Sequence, residues 1–503
     1  MDATLPRKLR VVPAAVAVSL GCAFGIFAFS AAMGFTGSRV AGVAVAVVVA
    51  VLVGCVLWLR PIVALDQNAA PSALKVISAL ATVAALIQLA RICVFMVNPA
   101  ATAFAIGPQR AAGLSIRHSC LSAYYVAARS ALAVPNVYSY DLYSLPQKNP
   151  EAQRVPRPIA TFDVDAYEYP PPFLLLPRAL AVAIPDFLRF RMVWFGLTGT
   201  VALLGLLVVL PMLGAGIATR ALLLSPLIFA SDLMILTLQI GNFQAMIFAF
   251  AMIAMVLIAR RHYAVGGALL AFATVSKLFP GFLVVYFIVR RRWRALGWTV
   301  GFCAVFVILS LLDTGRTPYR AFMAHLPRLL SGESFPAFRF PEAIAKNLSV
   351  PGMVFKLQLF GLVHAPFAAM RVIGQIYTLL ALAVTVLIAK RPLPSAQRPL
   401  AWLAILAIAS FRSPFLPQYG VIPALWLLTL VGARLAPTVK NLSAVLLAWV
   451  IVNIPAPQGL DVRVVSILLL FTQAVMLILV IVAVRTPQPM RQKNSATELV
   501  PAY

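Results

Sequence analysis

The sequence predicts an all-α, polytopic integral membrane protein of about fourteen transmembrane helices with two large outer loops. Three observations carry this. Hydrophobic residues make up 62% of the 503 and charged residues 11%, against about half and about a quarter in soluble domains. Apolar runs recur from Val11 to Val484, many near the ~20 residues that cross a bilayer. Lys and Arg sit in short clusters between those runs, as cytoplasmic loops do. The net charge of +27 therefore reads as membrane-facing loops and not as a nucleic-acid surface.

Arg7, Lys8 and Arg10 precede the first run and place the N-terminus inside. Spans are expected at about 11–35, 40–59 and 73–97, the third leading into a polar outer stretch, about 98–189. Further spans follow at about 190–213, 219–239 and 243–259, the last ending on Arg260-Arg261. The segment "AVGGALLAFATVSKLFPGFLVVYFIVRRRWR" reads either as one helix or as a hairpin turning at Lys277–Pro280. The hairpin is preferred, because it keeps Arg290–Arg294, Lys390–Arg398, Arg434–Lys440 and Arg485–Lys493 all inside. Pro280 supplies the break, since it lacks the amide donor and clashes with the preceding turn. Arg261 to Lys277 would cover roughly 24 Å, which leaves Lys277 slightly sunk into the outer face. The remaining spans are expected at about 295–312, 366–389, 399–412, 418–434, 441–454 and 464–484. A second outer loop covers about 313–365, and the tail 486–503 reads as a disordered cytoplasmic segment. With all inner loops short, a site is expected at the outer face. The five cysteines have no paired spacing, and four lie in predicted spans, so neither a disulfide framework nor a zinc pattern is indicated.

The first outer loop gathers Asp141, Glu151, Asp163, Asp165, Glu168 and Asp186, six of the 14 acids in the chain. Loops are polar anyway, which explains some of this. In "FDVDAYEYPPP", however, aromatics interleave with the acids, and the prolines are expected to hold a stiff extended backbone behind Asp163, Asp165 and Glu168. "FLLLPRALAVAIP" is too short to span and is expected in the interface. The "DVD" pair is a weak metal signal, and one carboxylate within reach of a hydroxyl suffices for a general base. Lys277 is either a functional cation or a snorkelling one. Asp232 is expected inside a span, paired with a Lys or Arg. In "QIGNFQA" a tight outer turn accounts for Gly241 and Asn242, but Gln239 and Gln244 exceed what a turn needs, and "FRSPFLPQYG" offers Arg412 and Gln418. His118, His325 and His364 fall in outer loops with no metal spacing.

"LQIGNFQ" followed by "GGALLAFATVSKLFPGFLVVYFIVRRRWRAL" resembles the central signature of the GT-C-type bacterial α-mannosyltransferases, glycosyltransferase family 87. "YEYPPPFLLLP" and "KNLSVPGM" resemble two more of its segments, so the likeness runs over roughly 115–430. It implies a GT-C-like bundle at 71–485, with helices in 1–70 added in front. It implies transfer of a hexose, mannose first, from a polyprenyl-phosphate donor to a lipid or glycan acceptor at the outer face, with inversion. It also implies the plasma (inner) membrane, cytoplasmic termini and a place in cell-envelope biosynthesis. In the family an Asp shortly before a Tyr-Tyr is the expected base; here "HSCLSAYYVAA" puts Cys120 at that place. Asp165 is then the first candidate base, with Asp163 and Glu168 next. Lys277, Arg412, Asn242, Gln244, His118, Tyr169 and Gln418 are the substrate-binding candidates, and no metal or soluble cofactor is expected. The rival reading is a lipid-linked-sugar flippase or secondary transporter, which Asp232 best supports.

Overall fold

The computed structural model describes residues 11–59, 66–107, 116–146, 155–364, 366–454 and 459–485. The basic cluster Arg7–Arg10, Glu151 and the 486–503 tail lie outside the described residues.

The protein is all-α and polytopic. Among the described residues seven helices are long and apolar enough to cross a membrane. They include Val11–Thr36, Arg39–Leu59, Ser72–Val97, Phe187–Val209, Trp293–Thr314, Pro366–Lys390 and Val462–Arg485. Other predicted spans are shorter helices, from Phe282–Val289 to Gln244–Ala259, or about 12–24 Å at 1.5 Å per residue. Several of these, such as Gln244–Ala259, Arg398–Ser410 and Ile422–Arg434, are buried on nearly every side. A helix enclosed by its neighbours meets little lipid, so its length need not match the ~30 Å hydrocarbon core.

The expected span 219–239 is not continuous. It is a pair of helical segments, Ala215–Phe229 and Asp232–Ile240, bent by 58°. Asp232 stands exposed at the start of the second segment, directly after the cap residue Ser231. It therefore needs no buried partner: a carboxylate in the first turn of a helix faces the positive end of its dipole. This corrects the expectation of a buried, paired Asp232 and removes the observation that best supported transport.

Lys277 lies at a true reversal. Tyr263–Ser276 stops at Lys277, whose backbone is extended, and Phe279–Gly281 forms a 3-10 turn before Phe282–Val289. Gly267 faces Trp298 and Thr299, and Phe272 packs on Phe306 with ring centroids 5.3 Å apart. Contacts thus advance together along Tyr263–Ser276 and Trp293–Thr314, so these helices run parallel and the segment between them runs back. Each is entered through a tight turn with an arginine at positive φ, Arg261 (69°) and Arg291 (53°). Arg290 donates to Arg391 O, and Arg391 donates to Val484 O at 2.9 Å. The basic turns therefore gather at one end of the bundle, and the two long loops lie at the other.

The first long loop carries a small sheet of three short strands, β1 (His118–Ser119), β2 (Pro158–Ile159) and β3 (Phe162–Val164), in the order β1-β3-β2. β1 and β3 are parallel and β2 and β3 antiparallel. The proline run behaves differently from the expected extended rod. Pro170 is extended (φ −58°, ψ 152°), but Pro171–Leu174 is a 3-10 turn that opens the helix Leu175–Ala183. Proline's fixed φ near −65° suits a helical first turn as well as an extended chain.

Candidate active site

One cavity of about 650 Å³ opens between the loops and the helix ends. Asp165, Glu168, His118, Tyr169, Asn242, Gln244, Lys277 and Arg412 all line it, among mostly apolar neighbours. Asp163 and Gln418 are not among its lining residues. Cys120, which the sequence placed at the family's base position, lines it too, as do Lys346 and Thr378, which the sequence did not single out.

The strand register sets the acids. Pairing of His118 with Asp163 and Ser119 with Val164 places β3 beside β1. Phe162 and Val164 point into the core, whereas Asp163 forms an ion pair with the exposed Arg117 at 2.8 Å. Asp165 lies just past the strand. Ser122 Oγ accepts from Asp165 N at 2.9 Å and donates to Ser119 O at 2.6 Å, so one hydroxyl ties the acidic segment to the helix Cys120–Ser130. Asp165 Oδ1 accepts from Ala166 N at 2.9 Å. Glu168 is more enclosed. Its Oε2 meets His325 Nε2 at 2.5 Å and its Oε1 accepts from Tyr140 O–H at 3.4 Å. Burial holds the Glu168 carboxyl above the usual carboxylate range, with His325 pulling it back. At His118 burial works against the cation, but Cys120, Asp165 and Asp163 outweigh it and push the ring up to about 9.

The opposite wall carries cations. Lys277 Nζ donates to Gln244 Oε1 and lies 5.3 Å from the centroid of the Tyr169 ring. Gln244 N is held by Asn242 Oδ1 at 2.9 Å, and Asn242 Nδ2 reaches Cys120 Sγ at 3.4 Å. Gly241 caps the preceding helix at φ 70°, and a Cβ there would meet Leu121 at 2.8 Å; only glycine fits both demands. Arg412 Nε donates to Thr378 Oγ1 at 2.5 Å. The Asn-x-Ser segment positions this wall. Asn347, fully buried, accepts from Leu416 N at 2.8 Å and donates to Pro414 O at 3.2 Å, which fixes the 411–420 turn against the second loop.

The chain of contacts from Lys277 through Gln244, Asn242, Cys120 and His118 to Asp165 joins residues from four separate parts of the sequence. The glycosyltransferase family 87 model matches residues 167–417, about half of the chain. The chain belongs to glycosyltransferase family 87. The matched region of this family 87 protein holds Glu168, Tyr169, the 238–244 turn, Lys277 and Arg412, while His118, Cys120 and Asp165 precede it. No curated protein and no solved structure matches the chain. Family and helices together make it a membrane glycosyltransferase. Its wall also groups His118, Cys120 and Asp165, whose ligand atoms lie within 4.8 Å of one another and could hold a metal ion. Their spacing, two residues and then 45, carries no metal signature; the β1–β3 pairing brings them together.

Proposed function

We propose that this membrane glycosyltransferase moves a hexose, mannose first, from a polyprenyl-phosphate donor to a lipid or glycan acceptor, with inversion, at the outer face of the plasma membrane. The observation that carries the reading is the cavity itself. It is mostly apolar, it lies at the bundle end away from the basic turns, and it faces carboxylates with cations. Positively charged loops mark the cytoplasmic side, so the cavity end is assigned to the outside.

In this reading the donor's lipid tail stays in the bilayer and its sugar phosphate enters the cavity. An acceptor oxygen attacks the anomeric carbon from the face opposite the phosphate. The bond from that carbon to the phosphate oxygen breaks, the electron pair leaves on phosphate, and the acceptor proton passes to a carboxylate. Asp165 is the favoured base: it lines the cavity, its backbone is clamped by Ser122, and Glu168 is already engaged by His325. Asp163, paired with Arg117, is left as a charge on the outer side of β3. Lys277 and Arg412 stabilise the departing phosphate through charge, so no second, protonated carboxyl is needed on the leaving side.

The test is transfer by purified protein from radiolabelled polyprenyl-phosphate-mannose to a membrane extract. Label moving into an extract product, and failing to do so with Lys277→Ala, supports the reading. Label that stays on the donor with every hexose tried overturns it.

A further inference from the structure

Asp165 belongs to a second grouping besides the proton acceptor. His118 Nε2 and Cys120 Sγ are 3.6 Å apart. A tetrahedral zinc ion, with Zn–S about 2.3 Å and Zn–N about 2.0–2.1 Å, holds its sulfur and nitrogen about 3.5–3.6 Å apart. The side chains thus already stand at the separation that coordination requires, with a carboxylate oxygen of Asp165 in the same 4.8 Å group. We propose that His118, Cys120 and Asp165 form a site for a soft divalent cation, zinc first, and that its occupancy withdraws Asp165 from proton transfer. The second half rests on the Asp165 reading above; the site itself does not.

The donor set argues for zinc over magnesium or calcium. Thiolate and imidazole suit soft and borderline ions, whereas the hard ions take oxygen ligands. Three protein ligands leave a fourth position, which opens to the cavity because all three residues line it. The supporting contacts are also of the kind that orient ligands. Asn242 Nδ2 rests on Cys120 Sγ at 3.4 Å, and Ala166 N occupies Asp165 Oδ1 at 2.9 Å, which leaves the other oxygen for a metal. On binding, the Cys120 thiol gives its proton to solvent and its sulfur lone pair to the ion.

Full-length protein in detergent, stripped with chelator, is titrated with Co²⁺ as a spectroscopic stand-in for zinc. A near-ultraviolet thiolate-to-cobalt band should saturate at one equivalent and vanish when Zn²⁺ is added. Cys120→Ser should abolish it, His118→Ala and Asp165→Asn should weaken binding at least about tenfold, and Cys93→Ser and Cys303→Ser should keep it. Size exclusion and circular dichroism confirm that each variant folds, and zinc should also protect Cys120 of the unmutated protein from maleimide. A missing band, or one that survives Cys120→Ser, overturns the site and leaves the His118–Cys120 contact as a hydrogen bond only. In the transfer assay, zinc at the same concentration should slow the wild type and slow Cys120→Ser proportionately less. Stoichiometric binding with zinc-insensitive transfer would instead overturn Asp165 as the base.

Discussion

The two walls of the cavity hold their charges by different means. On the acidic wall the backbone holds Asp165, while His325 and Tyr140 hold Glu168. Asp165 follows directly on β3, its amide is bonded to Ser122, and Tyr124 packs edge to face on Tyr169 and Phe173 behind it, with centroids 4.9–5.0 Å apart. On the cationic wall side-chain contacts do it: Lys277 to Gln244 and over the Tyr169 ring, Arg412 to Thr378. In the proposed reaction the base has to be aimed before the proton moves, and the cations have to stand where the phosphate charge develops. The comparison teaches that Asp165 is fixed through its own backbone and the cations through the side chains they touch.

The all-or-none way to break this comparison is to turn the molecule over. Leu278 and Arg292 are both exposed at opposite ends of the short helix. With native cysteines removed, a single cysteine at 278 should react with an impermeant thiol reagent outside the cell, and one at 292 should not. The reverse pattern would put the cavity inside.

Next in size is Asp165→Asn. It keeps shape and hydrogen bonding but cannot take the proton, so turnover should fall by about 10²–10⁴ while donor binding survives. Asp163→Asn is the control. Its ion pair with Arg117 is largely exposed, and such pairs contribute at most about 1 kcal/mol, so turnover and stability should both change little. Normal turnover in Asp165→Asn, with loss in Glu168→Gln, would move the base three residues along the same wall.

Lys277→Ala should cost about 2–4 kcal/mol of transition-state stabilisation without loss of folding, measured as kcat/KM for the labelled donor. Lys277→Arg should recover only part, because a planar guanidinium does not reproduce a compact ammonium. Full activity in the alanine variant would leave the cationic wall to Arg412 and Lys346.

The smallest effect concerns Glu168. Its carboxyl is held above the ordinary value by burial, so the folded state binds its proton more tightly than the unfolded chain does. That contribution to stability is present below the ordinary glutamate value of about 4.3 and is lost as pH rises through the raised one. Glu168→Gln should therefore flatten the dependence of the thermal midpoint over that rise. An unchanged slope would mean that His325 fully offsets the burial.

Most helices were legible because apolar runs and basic turns mark them directly; Arg261, Pro280 and Arg290 punctuate the hairpin as charge and proline rules require. The break before Asp232 was not, since Phe229–Ser231 is apolar enough to continue a helix and only the tertiary bend reveals the cap at Ser231. At the site, the acids, Lys277 and Arg412 could be picked out as charges scarce in such a chain. Their sorting could not. Whether Asp163 or Asp165 reaches the cavity depends on where β3 ends, and the meeting of Cys120 with Asp165 depends on a parallel strand pair two and three residues long. Strands that short have no period to read.

Asn347 carries a consequence for how the chain is made. Its partners Pro414 and Leu416 lie 67 and 69 residues later, beyond the helices Pro366–Lys390 and Arg398–Ser410. During synthesis the second loop emerges first and cannot be clasped until both helices have been inserted and the 411–420 turn has followed. Arg412 and Lys346 thus come to line one cavity only in a nearly finished bundle. A nascent chain therefore completes its acidic wall before its cationic wall, and in the proposed reading the ability to engage a charged lipid arrives last.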